Sequence, residues 1–223
     1  MTVQTALAER YSARAFTAQE PDPQLVQRML EQAAQSPSAG NLQPWQVIAL
    51  RGAALQELID AVRGDTPQDD ALTASYPADL WEPYRTRRFQ VGEGMYGALG
   101  IGHDDAQARQ AQAAQNFSFF GAPVGILICA DRRMQPAQWL DVGIYLQSLM
   151  LLATENGLAT CAQGFWRRMQ AGVKPFLHLP ESYMVICGVA LGYADASAPI
   201  NQWRTSRAEP GDWLQLRGFE PGA

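Results

Sequence analysis

Two apolar segments of the chain are separated by the sequence Ser36-Pro-Ser-Ala-Gly-Asn-Leu-Gln-Pro-Trp45, which is rich in small and amide side chains. Its prolines and glycine disfavour both helix and strand, so the sequence predicts a loop. Loops of this composition expose backbone N–H groups and often contact flat ligands with polar edges. The loop is therefore a candidate binding element between two structural elements.

The segment before the loop has the pattern of an amphipathic helix. Asp22 is suited to an N-cap and Pro23 to the first helical position. Leu25, Met29 and Ala33 then recur at a spacing of four residues, which places them on one helical face. The pattern predicts a helix that ends near the start of the loop.

Hydrophobic patterns and turn residues predict the other elements. We expect strands at 45–50, 124–130 and 183–191 and a short segment at 158–164. We expect helices at 53–62, from Asp104 or Asp105 to about Phe117, and at 139–155. The helix at 139–155 is apolar on nearly all faces, so it should be buried in the core or in a subunit contact. Together these elements predict one domain over residues 1–223.

Residues 64–95 differ from their surroundings because prolines, charges and aromatic side chains are mixed there. We interpret this segment as a lid or excursion from the domain. It contains Gly92-Glu-Gly-Met-Tyr-Gly97, a literal match to the dinucleotide-binding glycine pattern. The preceding residues are charged and do not form a buried strand, so we interpret the match as accidental. The last thirty or so residues form a polar tail that must pack on something.

The overall charge argues against large anionic partners. The 223 residues include 17 Lys and Arg and 22 Asp and Glu, a net charge of −5. We therefore expect small solutes as ligands, with no nucleic acid and no membrane as partner. Two histidines and three distant cysteines give no metal-ligand spacing, so no metal site is predicted. The cysteines and the lack of a signal-like start favour reduced thiols in the cytoplasm.

The sequence Arg10-Tyr-Ser-Ala-Arg14 is a candidate anion site. In an extended segment, residues two apart share a face, so Arg10, Ser12 and Arg14 would point at one ligand. Two guanidinium groups and a hydroxyl suit a phosphate monoester. The alternative is a solvated basic edge, and these residues alone leave both interpretations open.

Several motifs in this order resemble the FMN-dependent nitroreductase family, and in particular its nitrobenzoate-reductase-like branch. The resemblance is carried by Arg-x-Ser-x-Arg, by the loop at 36–45, by 97–101, by Asn116-Phe-Ser-Phe-Phe-Gly-Ala-Pro123, by 155–164 and by Trp203-Arg-Thr-Ser-Arg207. It implies an α+β fold with a central mixed β-sheet flanked by helices. It also implies an intertwined homodimer whose C-terminal extension crosses to the partner, with two FMN sites built from both subunits.

The resemblance implies roles for individual residues. Arg10, Ser12 and Arg207 would hold the FMN phosphate, and Arg14 would lie near N1 and O2 of the ring. A backbone amide of Gln163 or Gly164 would face N5. The other implied cofactor-binding residues are Tyr11, Pro37, Ser38, Ala39, Asn41, Gln43, Asn116, Ala162 and Arg204. Those in the loop would come from the second subunit, and Arg204 would replace the basic residue expected at Thr205.

The implied activity is a ping-pong, two-electron reduction of nitroaromatics, quinones or related conjugated acceptors by NADH or NADPH. Arg14 would act electrostatically, and Tyr96 and Phe165 would line the substrate pocket. Ala39 and Gln163 depart from residues common in the family, which affects the expected substrate preference. The alternative is a protein of the same fold that binds or sequesters FMN without turnover.

Overall fold

The computed structural model describes residues 1–69 and 72–219. The helices are α1 (Val3–Glu9), α2 (Pro23–Ala33), α3 (Gly52–Ala61), α4 (Tyr84–Ala98), α5 (Ala106–Ala114), α6 (Pro136–Glu155), α7 (Gln170–Phe176) and α8 (Pro199–Gln202). The strands are β1 (Gln46–Arg51), β2 (Val124–Asp131), β3 (Ala159–Gln163) and β4 (Tyr183–Gly192). Short 3-10 turns lie at 39–41, 115–121, 164–169 and 210–212. This is the expected α+β class.

The four strands form one sheet in the order β1-β2-β4-β3, and every neighbouring pair is antiparallel. The expectation of a mixed sheet is therefore wrong for these strands. Within the described residues, the one parallel pairing is an isolated bridge between Ser12 and Thr160. Hydrophobic patterns identify strands but carry no information on direction, because direction is set by the connections between them.

Both faces of the sheet are covered, so the core has two layers. Side chains alternate along β2: Ile126 and Ile128 pack on one side, and Leu127 and Cys129 on the other. The first side meets α2 and α6 and the second meets α3, α7 and the 3-10 turn at 164–169. This arrangement explains why β2 and β4 are almost wholly buried.

The predicted elements are confirmed, with boundaries that shift by a few residues. Asp22 caps α2 by accepting from the Gln24 N–H, and Pro23 is the first helical residue. The segment expected at 158–164 is strand β3. The sequence reasoning missed the 15-residue helix α4, most of which it assigned to the lid or excursion at 64–95. It also missed α1, α7 and α8, which have seven residues or fewer. Such helices are too short to show a clear period.

The segment at 64–95 has two parts. Residues 64–69 and 72–83 contain no regular helix or strand, and α4 follows from Tyr84. The three glycines of the literal dinucleotide pattern lie inside α4, where they form no strand-to-helix turn. The pattern is accidental, as expected. Within the described residues, no helix combines the length and the hydropathy that a membrane span requires.

Candidate active site

The Arg10–Arg14 segment runs extended between α1 and the sheet. It is fixed to the edge strand β3, because the Ala13 N–H donates to the Thr160 carbonyl at 3.0 Å and Ala13 is fully buried. With Ala13 facing inward, Arg10, Ser12 and Arg14 all line one cavity of about 350 Å³. The structure thus brings together the three side chains that the alternation predicted.

The C-terminal segment closes this cavity from the other side. Its lining residues are Leu7, Ala8, Arg10, Tyr11, Ser12, Arg14, Trp203, Arg204, Thr205 and Arg207. The N-terminal and C-terminal segments therefore meet at one cavity, which contains Arg10, Ser12 and Arg207, the three residues that the family resemblance assigned to the phosphate. Arg207 is oriented by hydrogen bonds from its guanidinium to the Thr205 hydroxyl, at 2.7 Å, and to the Ser206 carbonyl, at 3.0 Å.

Positive charge accumulates in the cavity without a matching acid. Burial and the nearby guanidinium of Arg207 lower the pKa of Arg10. Within residues 1–69 and 72–219, the Arg10 guanidinium makes no hydrogen bond and no ion pair. A like charge nearby disfavours a charged group, whereas an anion would form charge-assisted hydrogen bonds with both guanidinium groups. This arrangement favours an anion site over a solvated basic edge.

Arg204 also lines the cavity and is held by aromatic stacking. Its guanidinium lies 3.6 Å from the centroid of the Tyr11 ring and donates to the carbonyls of Asn201 and Trp203. Arg204 thus faces the site, as required if it takes the place of the basic residue expected at Thr205. Tyr11 itself lines the same cavity.

Asn201 connects the two ends of the chain, and sequence reasoning missed it. Its side chain is only 3% exposed. Its oxygen accepts from the Arg14 N–H at 2.8 Å, and its amide group donates to the carbonyls of Ala15 and Asp195 at 2.7 and 2.8 Å. No local motif marks this residue, because its partners are up to 187 positions away. Asn201 fixes the backbone that carries Arg14.

The predicted site residues Asn116, Ala162, Gln163 and Gly164 lie at and around the end of β3, and none of them lines the cavity. Gln163 is 3% exposed, and its amide donates to the backbone and side-chain oxygens of Asn116, both at 3.1 Å. The Gln163 Oε1 and the Thr160 hydroxyl are buried without a hydrogen-bond partner within the described residues. Buried polar atoms are normally paired, so these two call for a further ligand or water. Ala162 is half-buried and Gly164 is exposed.

Cys161 lies beneath the Arg10–Arg14 segment, close to both arginines and to the Ser12 hydroxyl. The sequence gave no sign of these cationic neighbours, which come from a distant part of the chain. Burial nevertheless raises the pKa of the Cys161 thiol and outweighs the two guanidinium groups. Cys161 is therefore a buried thiol packed under the site, in an environment that favours its protonated form.

The loop at 36–45 lies against α6 and not in the cavity. None of its predicted cofactor-binding residues, Pro37, Ser38, Ala39, Asn41 and Gln43, lines the cavity formed by Arg10 and Arg207. The Ala39 N–H donates to Asp141 in α6, and the Ser36 and Ser148 hydroxyls are 2.8 Å apart. Within one chain, these residues are separate from the other predicted site residues.

The two predicted substrate-pocket residues are also not part of the cavity. The Tyr96 ring lies under the Arg109 guanidinium, 4.3 Å from its centroid. Phe165 packs edge-on against Phe117, with ring centroids 4.6 Å apart, and against Trp166 in the core. Neither ring lines the cavity, and their role as one substrate pocket stays a prediction.

The described residues contain no group of three or more histidine, cysteine or acidic side chains placed to hold a metal ion. The polar groups that line the cavity include the guanidinium groups of four arginines and the hydroxyls of Tyr11, Ser12 and Thr205. Such groups bind and orient an anionic, hydrogen-bonding ligand.

Comparison with known proteins identifies the family of the chain. The family model described as the nitroreductase family matches residues 7–193, so the chain belongs to the nitroreductase family. The chain is 38% identical over 217 residues to 4-nitrobenzoate reductase from Pseudomonas putida, a match that covers 96% of this chain and 95% of the relative. The resemblance inferred from the motifs is thereby confirmed.

Solved structures show the same fold. An FMN- and NADPH-dependent nitroreductase from Sphigopyxis sp. strain HMH superimposes with a TM-score of 0.92 at 41% identity, covering 98% of this chain and all of that one. An FMN-dependent nitroreductase from Mycobacterium smegmatis, solved in complex with NADPH, has a TM-score of 0.89 at 28% identity and covers 96% and 97% of the two chains.

Proposed function

We propose that this protein is an FMN-dependent oxidoreductase that takes electrons from NADH or NADPH and reduces nitroaromatic compounds. The observation that carries the proposal is the cavity lined by Arg10, Arg14, Arg204 and Arg207, with no acid among the described residues that line it. The names of the relatives, which include 4-nitrobenzoate reductase and nitrobenzene nitroreductase, support the substrate class. Quinones and related conjugated acceptors are further candidates.

The residues present fit FMN at the phosphate end. The facing guanidinium groups of Arg10 and Arg207 and the Ser12 hydroxyl offer the charge-assisted contacts that a phosphate monoester requires. An anion bound near Arg10 would offset both the cost of its burial and its repulsion by Arg207. Arg204, stacked on Tyr11, supplies additional positive charge at the rim.

The residues also fit FMN at the ring end. Thr160, whose hydroxyl is unpaired within the described residues, lies on β3 beside Ser12, and Gln163, whose Oε1 is likewise unpaired, ends the same strand. FMN, when bound, supplies the two-electron chemistry of the reaction. Arg14 stabilises negative charge that gathers at the pyrimidine side of the site. Asn201 keeps Arg14 in place through its backbone N–H, and Gly164 presents backbone without a side chain in the way.

The proposed site is completed by a second copy of the chain. The loop at 36–45 lies outside the cavity, so its proposed contacts require another subunit. Large apolar side chains are exposed on α1 and α6: Val3 is 70%, Leu7 53% and Leu140 68% exposed. Exposed apolar side chains of this size favour a protein–protein interface. The C-terminal segment, with Trp213 67% exposed, is the proposed extension onto the partner.

We place the protein in the cytoplasm, because its three cysteines are buried and unpaired, as is usual where thiols stay reduced. The proposal also includes a lid formed by residues 64–95. It assigns substrate contacts to Tyr96 and Phe165.

The experiment is an absorption spectrum of the purified protein followed by anaerobic addition of NADH and then NADPH. The proposal predicts a flavin band that bleaches rapidly with at least one donor. A persistent band would favour the alternative, a flavin-binding protein without turnover. A protein that remains colourless after FMN is added would contradict both.

A further inference from the structure

Asp141 is a buried acid that the proposed chemistry does not use. It lies in the first half of α6 and is 5% exposed. No ion pair within residues 1–69 and 72–219 includes it. Burying a carboxyl group away from water and cations is costly unless it is well hydrogen-bonded, so a group retained in this position calls for an explanation.

The hydrogen bonds of Asp141 point to the loop at 36–45. Both of its carboxyl oxygens accept from the Ala39 N–H, each at 3.2 Å. Ala39 is the first residue of the turn at 39–41, and the turn begins immediately after the extended residue Ser38. Asp141 therefore holds the point at which the loop changes direction.

The turn needs such an anchor because its backbone is strained. Asn41 and Gln43 have φ angles of 55° and 47°, in the left-handed region that non-glycine residues seldom adopt. Strained conformations of this kind persist only where the surrounding structure enforces them. The loop's own contacts, from the Gln43 N–H to the Ser38 hydroxyl and from the Gln43 side chain to the Asn41 carbonyl, are mostly exposed. Of the hydrogen bonds from the loop to α6 within the described residues, the one from Ser36 to Ser148 lies at the start of the loop, and those to Asp141 reach the turn itself.

We propose that Asp141 is a positioning residue for the cofactor site: it holds Ala39, Gly40 and Asn41 in the shape in which a second copy of the chain uses them to bind FMN. The inference rests on the proposed function, because it assigns the loop to the FMN of the other subunit. Asp141 itself touches neither the cofactor nor the substrate.

The first test is FMN affinity of the Asp141→Asn variant of the full chain. The amide keeps the size of the side chain but offers one oxygen instead of two and loses the charge. We expect the FMN dissociation constant to rise about tenfold, while the oligomeric state is unchanged. Glu155→Gln is the matched control, because it neutralises an exposed acid on the same helix and should leave FMN affinity unchanged.

Mixed dimers test whether Asp141 acts across the subunit boundary. Arg10→Ala and Asp141→Asn chains with different tags are co-expressed, and dimers carrying both tags are isolated. If the loop serves the other subunit, both defects fall on one site and the second site is intact. The mixed dimer should then bind one FMN per dimer with the affinity of the parent. Failure to recover a tight site would overturn the proposal, because each chain would then carry its own defect.

Other outcomes separate this inference from the proposed function. A parent protein that binds no FMN would contradict the proposed function, and the inference with it. A parent that binds FMN and an Asp141→Asn variant that binds it equally well would overturn the inference alone. A fall in melting temperature without a change in FMN affinity would assign Asp141 a purely structural role.

If Asp141→Asn does not fold, Ala39→Pro removes the N–H donor from the other side of the contact. The extended backbone of Ser38, with φ −145° and ψ 150°, is compatible with a following proline. We expect the same loss of FMN affinity, and unchanged affinity in a folded Ala39→Pro protein would likewise contradict the proposal.

Discussion

Replacing Arg10 with methionine tests the phosphate site most sharply. The substitution removes the guanidinium group and keeps an unbranched apolar side chain against the cavity wall. In the protein without ligand, Arg10 is disfavoured by burial and by Arg207, and it has no acidic partner within the described residues. The variant should therefore melt no lower than the parent when FMN is absent.

The same substitution should weaken FMN binding. A charge-assisted hydrogen bond contributes about 1.5–3 kcal/mol, so the FMN dissociation constant should rise between about tenfold and a hundredfold. Titration of the apo-protein with FMN and with riboflavin, followed by flavin fluorescence, measures the effect. Riboflavin has no phosphate, so its affinity should not change.

Arg63→Met provides the control, because Arg63 is exposed, pairs with Asp60 at 2.6 Å and does not line the cavity. It should bind both flavins as the parent does. Equal weakening of FMN and riboflavin by Arg10→Met, or no change in either, would refute the assignment of Arg10 to the phosphate.

Three further predictions follow from the same contacts. Arg14→Met should slow anaerobic flavin reduction in stopped-flow measurements more than it weakens FMN binding; equal rates for variant and parent would remove its electrostatic role. Asn201→Ala should lower the free energy of unfolding in urea by about 3 kcal/mol, because it breaks three buried hydrogen bonds. A loss below about 1 kcal/mol would show that other contacts hold the two ends of the chain together. Hydrogen bonding to Arg133 lowers the pKa of Asp131 below its ordinary value of 3.8. Asp131→Asn should therefore be less stable than the parent at neutral pH, and this difference in unfolding free energy should shrink as the pH falls below 3.8. A stability difference that does not depend on pH would contradict the prediction.

The fold was largely predictable because its elements have strong local signals. The N-cap and proline at the start of α2 and the continuous apolar runs of β2 and β4 are encoded in neighbouring residues. Strand direction was not predictable from these patterns, and the expected mixed sheet proved antiparallel. The short helix α1 was missed because seven residues give too little periodicity.

The site was predictable where its residues share a motif. Alternation placed Arg10, Ser12 and Arg14 on one face, and the structure brings them to one cavity. Asn201 and Asp141 could not be found in this way, because each acts on backbone more than a hundred positions away. Their side chains are ordinary for their positions in the sequence, and only the folded chain shows their contacts.

The most direct test of the proposed function is a pair of anaerobic half-reactions. The FMN-loaded protein is bleached with one equivalent of NADPH, or of NADH if that is the active donor, and the oxidised nucleotide is removed by gel filtration. 4-Nitrobenzoate is then added. We predict that the flavin band returns and that the nitro compound is reduced in proportion. A band that stays bleached with 4-nitrobenzoate and other nitroaromatics, but returns with oxygen, would contradict the assignment of this protein as a nitroaromatic reductase.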